Sequence, residues 1–533
     1  MTTAIFDDLF GQHEQVVAGA FPNGGGLPRP HATELLCELL AQEALTAYDA
    51  SSVHWDVAAL LVGALMENGQ SPAAYAFFRH VAPATAGMIA EALNTVDFVA
   101  SADDPDATAE AVMLAAAGSF SAAGQHDAAI EITTELFLLR PDHLPYSHAL
   151  FVARRRQRGI SDDLSNQFCP VPFQRLDALG GGAASVCCSA FLRQSVGNLW
   201  MQDADAVWNG PAAQAIRGSI HDGSYRFCDK ARCPRFESGL IDLAKPDQEL
   251  LAAGKQWDYA DGEGKTIDRS MLEVARTRQV RLSHGPQLVN LAFDASCNLA
   301  CPSCRTDFIV ARSAERDAML KMADEKVMPL LADARLVVVT GSGDPFASKT
   351  FRHIMRSLDP QRYPDLELKI MTNAVLFTPA EWAKIAHLHG MIRSVSVSID
   401  AAEPETYRKL RRGGDWDKLQ ENLLFLGGLY RDGAFKEFRL AFCVQAENWR
   451  QMPAFVDLGR HVGASMVSFA PIEDWGTYGQ GLYSAQAVQL PTHPDHAAFK
   501  ALLETPHLDD PIVDLGILKG MRGDRSHGSE QAG

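Results

Sequence analysis

Cys297, Cys301 and Cys304 lie in the stretch Phe293-Asp-Ala-Ser-Cys-Asn-Leu-Ala-Cys-Pro-Ser-Cys-Arg305, a CxxxCxxC triplet on one short segment. Three thiolates so spaced can hold three irons of a four-iron, four-sulfur cluster and leave the fourth iron without a protein ligand. An open iron is useful only where another molecule binds it. Structural zinc needs a fourth ligand, usually from a second CxxC-like pair, and a lone triplet does not supply one.

The elements that must position this triplet are legible from residue 288 onward, where apolar runs alternate with helical segments. Expected strands cover 288–293, 336–340, 366–372, 394–399, 438–444 and 466–470. Six strand–helix units predict a parallel sheet closed or partly closed into a barrel, a partial (β/α)6 arrangement. In such barrels chemistry gathers on the loops after the C-terminal strand ends. The triplet follows the first strand, as that rule requires. After the second comes Gly341-Ser342-Gly343-Asp344, whose small residues let the backbone approach a ligand and whose carboxylate suits an ammonium group. Asn373 follows the third strand. Ser396, Ser398 and Asp400 alternate along and just beyond the fourth, so they share one face, suited to hydroxyl groups.

This set resembles the radical SAM superfamily. Residues 341–344 resemble its GGE-type motif, with Ser342 and Asp344 in place of Gly and Glu. Met371-Thr372-Asn373-Ala374 resembles its TNG-like turn. Ser396-Val-Ser398-Ile-Asp400-Ala401, Tyr407 and Arg411-Arg412-Gly413-Gly414 resemble its SxDA…TY…R.GG run. The resemblance implies that S-adenosylmethionine chelates the open iron of a 4Fe-4S cluster. Its reductive cleavage then gives a 5'-deoxyadenosyl radical that takes hydrogen from a C–H bond. It also implies an external electron donor such as flavodoxin or ferredoxin. An arginine fork matches the carboxylate of S-adenosylmethionine; Arg411 and Arg412 both qualify, and Arg412 is carried as the candidate. Ser303 stands where many members have an aromatic residue beside the adenine.

Five more cysteines lie upstream: Cys169, Cys187, Cys188, Cys228 and Cys233. With Gly182, Gly197-Asn198, Trp208 and Arg217 they resemble the SPASM or twitch module, in the order C…G…C…GN…W…R…C…C. The resemblance implies one auxiliary 4Fe-4S cluster, held by Cys169, one of Cys187 and Cys188, Cys228 and Cys233. The module stands N-terminal to the barrel here, the reverse of the order in the enzymes that name it. Cys443, on the fifth expected strand, reads as a core thiol, with hydrogen-atom donation as the alternative.

The net charge of −18 argues against a general nucleic-acid surface and for a soluble chain. No leader peptide or run of about 18 apolar residues is apparent, so a cytoplasmic protein with no membrane span is expected. The expected organisation is multidomain α/β. Residues 1–160, with Gly124, Ala128, Leu136 and Pro141 at characteristic offsets, resemble tetratricopeptide repeats and form an all-α domain that offers a docking surface. A twitch-like module covers 165–245, a linker 246–285, the core barrel 286–480, and a C-terminal extension with a disordered tail 481–533. The resulting functional expectation is a radical enzyme acting on a peptide or protein. The alternatives are a dehydrogenase or epimerase of a carbohydrate-type molecule, and a non-catalytic iron–sulfur adaptor.

Overall fold

The computed structural model describes residues 126–140, 143–255, 267–340, 342–473, 477–478 and 482–522, with a few isolated positions between 114 and 124. Most of the expected repeat domain and the tail after 522 lie outside the described residues. Two compact units are present: Met1–Leu164 with Arg226–Cys233, and Ser165–Tyr225 with Pro234–Gly533. The expected module at 165–245 is therefore divided between them.

In the first unit, helices α1 (His126–Leu139) and α2 (Leu144–Gln157) pack together. The inserted segment 226–233 is fastened to them by buried polar groups. Ser147 Oγ donates to Asp229 Oδ1 at 2.6 Å and accepts from the Ala231 amide at 3.0 Å. Lys230 Nζ donates to His148 Nδ1 at 2.9 Å, and the Arg232 guanidinium sits 5.1 Å from the centre of the Phe137 ring. Burial, and then the neighbouring Lys230 ammonium, push the His148 imidazole down to about 4. A folded pKa below the unfolded value means that the unfolded chain binds the extra proton first. The contribution is therefore complete above the ordinary value near 6.5 and is lost as pH falls from there through about 4. Thermal unfolding across that range should show His148→Asn losing less stability on acidification than the wild type.

The second unit is built on one ten-stranded sheet. Its strands are β1 (Arg175–Leu179), β2 (Ala183–Ser185), β3 (Gly197–Asn198), β4 (Leu288–Ala292), β5 (Leu336–Val339), β6 (Glu367–Thr372), β7 (Ile392–Ser398), β8 (Glu437–Val444), β9 (Met466–Pro471) and β10 (Val513–Asp514). Their order is β10-β9-β8-β7-β6-β5-β4-β1-β2-β3. From β10 to β1 every pairing is parallel; β2 and β3 add an antiparallel edge. The six strands expected from the sequence are β4 to β9. Beyond them, β1 to β3 come from the cysteine-rich upstream segment and β10 from the C-terminal extension.

Alternation assigns the two faces. Val289, Leu291, Val337, Val339, Leu368, Ile370, Val395, Val397, Phe438, Leu440, Phe442, Val467 and Phe469 share one face and are at most 2% exposed. Helices α3 (Trp416–Arg431) and α4 (Met452–Val462) pack on it. Phe455 of α4 lies 4.7 Å from Phe442, ring to ring. Gly427 of α3 permits the approach of the two helices, because a Cβ there would stand 1.9 Å from the Val462 carbonyl oxygen. The opposite face is mixed. Leu288, Leu336, Val338 and Met371 cluster there beside charged residues considered below.

The 246–285 stretch, expected as a linker, contains helices Asp247–Lys255 and Arg269–Arg276. The second buries Met271, Leu272, Val274 and Ala275, an amphipathic pattern hidden by the polar composition around it. No helix among the described residues is long and apolar enough to cross a membrane.

Candidate active site

The loop after β4 is fixed before its cysteines begin. Asp294 accepts from the Ser296 amide at 2.9 Å and from Ser348 Oγ at 2.6 Å. Ser348 in turn caps the helix Lys349–Ser357 by accepting from the Phe351 amide. The loop is then tied to three neighbours. The Cys297 amide donates to the Ile309 carbonyl, the Ala300 amide to the Arg412 carbonyl, and the Asp344 amide to the Ser296 carbonyl, each at 2.9 Å. Gly343 makes the last contact possible: its φ is +74°, and a Cβ would stand 2.5 Å from the Asp294 carbonyl oxygen.

Each sulfur has a donor. Cys297 Sγ accepts from the Leu299 amide at 3.4 Å and Asn373 Nδ2 at 3.7 Å. Cys301 Sγ accepts from Arg411 Nη1 at 3.8 Å, and Cys304 Sγ from Arg305 Nη2 at 3.3 Å. Cys297 and Cys301 are buried; Cys304 is exposed. Burial pushes the Cys297 thiol up to about 11 and raises Cys301 also, while the Arg305 and Arg411 guanidiniums pull the respective thiols back. Such thiols ionise readily only when a metal replaces the proton. Among the described residues no three His, Cys, Asp or Glu side chains converge on a site for a single metal ion. Three thiols on one loop, each met by a donor, are a ligand set that a four-iron, four-sulfur cluster can use through three of its irons.

The strand-end residues expected from the sequence divide into those at the loop and those away from it. Asn373 links Cys297 Sγ to Asn298 Oδ1, the latter at 2.9 Å. Ser396 and Ser398 alternate on β7, on the mixed face. Asp400 has φ +62°, accepts from the Cys443 amide at 2.8 Å and pairs with Arg411 at 2.7 Å. Arg411, although burial opposes its charge, is held protonated by Asp400 and Cys301. Arg412 is exposed and donates to the Thr306 carbonyl. Of the two adjacent arginines it is Arg411 that reaches the cysteines. Ser342 stands in its turn through its amide bond to Thr340 Oγ1; Gly341 is outside the described residues.

Asp344, assigned from the sequence to an ammonium group, has another occupation. It is fully buried. Its Oδ1 accepts from the Phe346 and Ala347 amides, and its Oδ2 from Thr372 Oγ1 at 2.7 Å and the Asn373 amide at 2.9 Å. Burial raises its pKa despite these bonds. It therefore joins two strand-end turns, and Asp344→Ala leaves four donors to find new partners. Each donor that water does not reach costs about 1–3 kcal/mol. Denaturant unfolding should show a loss on the order of 3 kcal/mol.

Cys443, on β8, lies in this neighbourhood: burial and then Asp400 push its thiol well above the ordinary range. Sequence reasoning missed Arg305 and Asn298. The signal available was their position, directly following the third and first cysteines.

The upstream cysteines do not form one group within either unit. Cys169, Cys187 and Cys188 belong to the second; Cys228 and Cys233 belong to the first. The pairing of Asp177 with Ser185 puts Cys187 across from Arg175, where β1 begins. That is the end of the sheet opposite the triplet, which follows the end of β4. Burial opposes the charge of Arg175, but Asp177 and then the Cys187 and Cys188 thiols hold it protonated. Arg217 is wholly buried, donating to the Pro172 carbonyl at 2.9 Å and the Val280 carbonyl at 3.0 Å, with Trp208 4.3 Å away.

Comparison with known proteins covers the central segment. Residues 295–432 match the model of the Radical SAM superfamily. The chain is 25% identical over 129 residues to a GTP 3',8-cyclase of Rhizobium etli, covering 24% of this chain and 36% of that protein. It is 22% identical over 194 residues to a probable GTP 3',8-cyclase of Methanocaldococcus jannaschii, covering 35% and 60%. The chain thus spans less than two thirds of either relative. Among solved structures, Streptococcus suis SuiB bound to S-adenosylmethionine is similar at 15% identity, covering 50% of this chain and 57% of that one. Its TM-score of 0.27 is too low to carry an argument.

Proposed function

We propose that this chain is a radical SAM enzyme acting on a C–H bond of a peptide or protein. The observation that carries the reading is the triplet itself: three thiols on one loop, tied to three neighbouring segments, each sulfur met by a cation or an amide. Cys297, Cys301 and Cys304 would hold a 4Fe-4S cluster. That cluster would supply the electron, and S-adenosylmethionine the radical-forming group, for hydrogen abstraction. The chain's own residues do the rest. Arg411 and Arg305 place positive charge beside the sulfurs and favour their thiolate forms. Gly343 and Asn373 would bind the methionyl end, and Ser396, Ser398 and Asp400 the ribose. Arg411 or Arg412 would meet the carboxylate, Arg411 already giving its two terminal nitrogens to Cys301 and Asp400. An auxiliary cluster on the upstream cysteines would accept or donate an electron, and a flavodoxin or ferredoxin would reduce the enzyme in the cytoplasm. The curated relatives are described as cyclases of GTP, so a nucleotide substrate is the second reading.

Electron paramagnetic resonance tests the open iron. Adding S-adenosylmethionine to the reduced, anaerobically reconstituted protein should change the signal of the cluster held by the triplet. An unchanged spectrum at saturating S-adenosylmethionine would remove the basis for this reading.

A further inference from the structure

The second unit holds a cavity of about 220 Å³. A water needs about 10–15 Å³, so a polyatomic ligand fits together with waters of its own. Phe168, in the cavity wall, packs on Phe173 with ring centres 5.0 Å apart, and Phe173 stands two residues before β1 begins. That is the end of the sheet opposite the triplet, so this is not the site described above. Ser165, Asn166, Arg276 and Arg278 line the cavity and are exposed, so solutes reach it.

The surface it offers is polar and basic. Phe168, Ile220 and Ala275 also line it but are at most 3% exposed, so they present little area. No lining residue is acidic. Of the acids beside the lining segments, Asp222 accepts from the Ser224 amide at 2.8 Å and Asp242 from the Ala244 amide at 3.1 Å, neither of which lines the cavity. Asp247 pairs with Arg276 at 2.7 Å. Arg278 has no such occupation. Its guanidinium makes no hydrogen bond or ion pair among the described residues, and the side-chain amides of Asn166 and Gln167 make none either.

Arg278 is also held in an unfavourable backbone conformation. Helix Arg269–Arg276 is capped at Thr277, and the Gln279 amide closes the turn by donating to the Val274 carbonyl at 3.1 Å. This cap puts the residue between Thr277 and Gln279 in the left-handed region, and Arg278 has φ +53°. Glycine is the usual residue there, because a Cβ disfavours the conformation. An arginine in its place, unpartnered and on a cavity wall, points to a use for the side chain. A guanidinium fork matches two oxygens of an oxyanion. One fork satisfies a carboxylate; the N–H groups of two further amides suit the additional oxygens of a phosphate.

We propose that this cavity binds a phosphate group through Arg278, Asn166 and Gln167. The site stands whether or not the chain cleaves S-adenosylmethionine. Inorganic phosphate and a small phosphate monoester share this chemistry, and the test tells them apart.

The full-length protein, reconstituted anaerobically in phosphate-free buffer, is titrated calorimetrically with inorganic phosphate, glycerol 3-phosphate and acetate. Wild type should bind a phosphate, with acetate at least about tenfold weaker. Tighter binding of glycerol 3-phosphate assigns the site to a monoester, and tighter binding of inorganic phosphate to the free ion. Arg278→Gly should weaken phosphate binding by about tenfold or more, the scale of a charge-assisted hydrogen bond. Because glycine suits the left-handed position, the melting temperature of this variant without phosphate should hold or rise; a merely structural role for the side chain would lower it. Saturating phosphate should raise the melting temperature of wild type more than that of the variant. Asn166→Ala should also weaken phosphate binding and leave the phosphate-free melting temperature in place. No binding of either phosphate by wild type, acetate bound as tightly as phosphate, unchanged affinity in Arg278→Gly, or a lower melting temperature of Arg278→Gly in phosphate-free buffer each overturns the proposal.

Discussion

Replacing Cys297, Cys301 and Cys304 together with alanine is expected to remove about four irons from an anaerobically reconstituted chain that otherwise carries about eight, as two cubane clusters. On the proposed reading the triplet would supply three sulfurs to one cluster, and Cys443, the nearest other described cysteine, is half-buried on β8 beside Asp400. The upstream cysteines are sequence-remote, and Cys187 stands at the opposite end of the sheet. Colorimetric iron and sulfide analysis reads the result. Loss of all iron would show that the upstream cysteines hold no cluster of their own. Loss of none would show that the triplet holds no cluster. The fold should survive the change, because the loop is also fixed by Asp294, Ser348 and the amide bonds of Cys297 and Ala300.

The second large effect belongs to Arg411. Its guanidinium faces Asp400 at 2.7 Å with both side chains mostly withdrawn from solvent. Arg411→Met keeps the volume and removes the charge, which leaves a buried carboxylate alone. Breaking a buried pair from one side costs about 3–5 kcal/mol. A double variant, Asp400→Asn with Arg411→Met, should be more stable than Arg411→Met alone, because it leaves no buried charge without a partner. Thermal unfolding of the two variants beside wild type checks this order. A single variant as stable as wild type would show that the pair carries no structural load.

How much of this was legible follows from the kind of signal each residue gives. β4 to β9 were readable because parallel strands buried against helices appear as apolar runs, such as 336–339. The triplet was readable because three cysteines on one loop have few structural explanations. Arg411 and Arg412 were not separable, since adjacent residues share every local signal and differ only in which way the turn sends them. Asp344 was placed at the right turn but in another role: its four hydrogen bonds come from two strand ends brought together only by folding. The polar mixed face was missed for a similar reason. Lys369 lies inside the expected strand 366–372, but only the folded register puts it in one row with Asn290 and Ser394. β1, only five residues long and within a segment rich in cysteine and glycine, offered too short an alternation to identify.

The central claim is that this chain cleaves S-adenosylmethionine at the cysteine triplet. Its most direct measurement is 5'-deoxyadenosine, quantified by mass spectrometry after the reduced, reconstituted protein is incubated with S-adenosylmethionine. Wild type should form it, and the triple cysteine variant, matched for protein and reductant, should form none above the protein-free control. Equal amounts from both proteins, or none from a wild type that holds its full iron, would contradict the account.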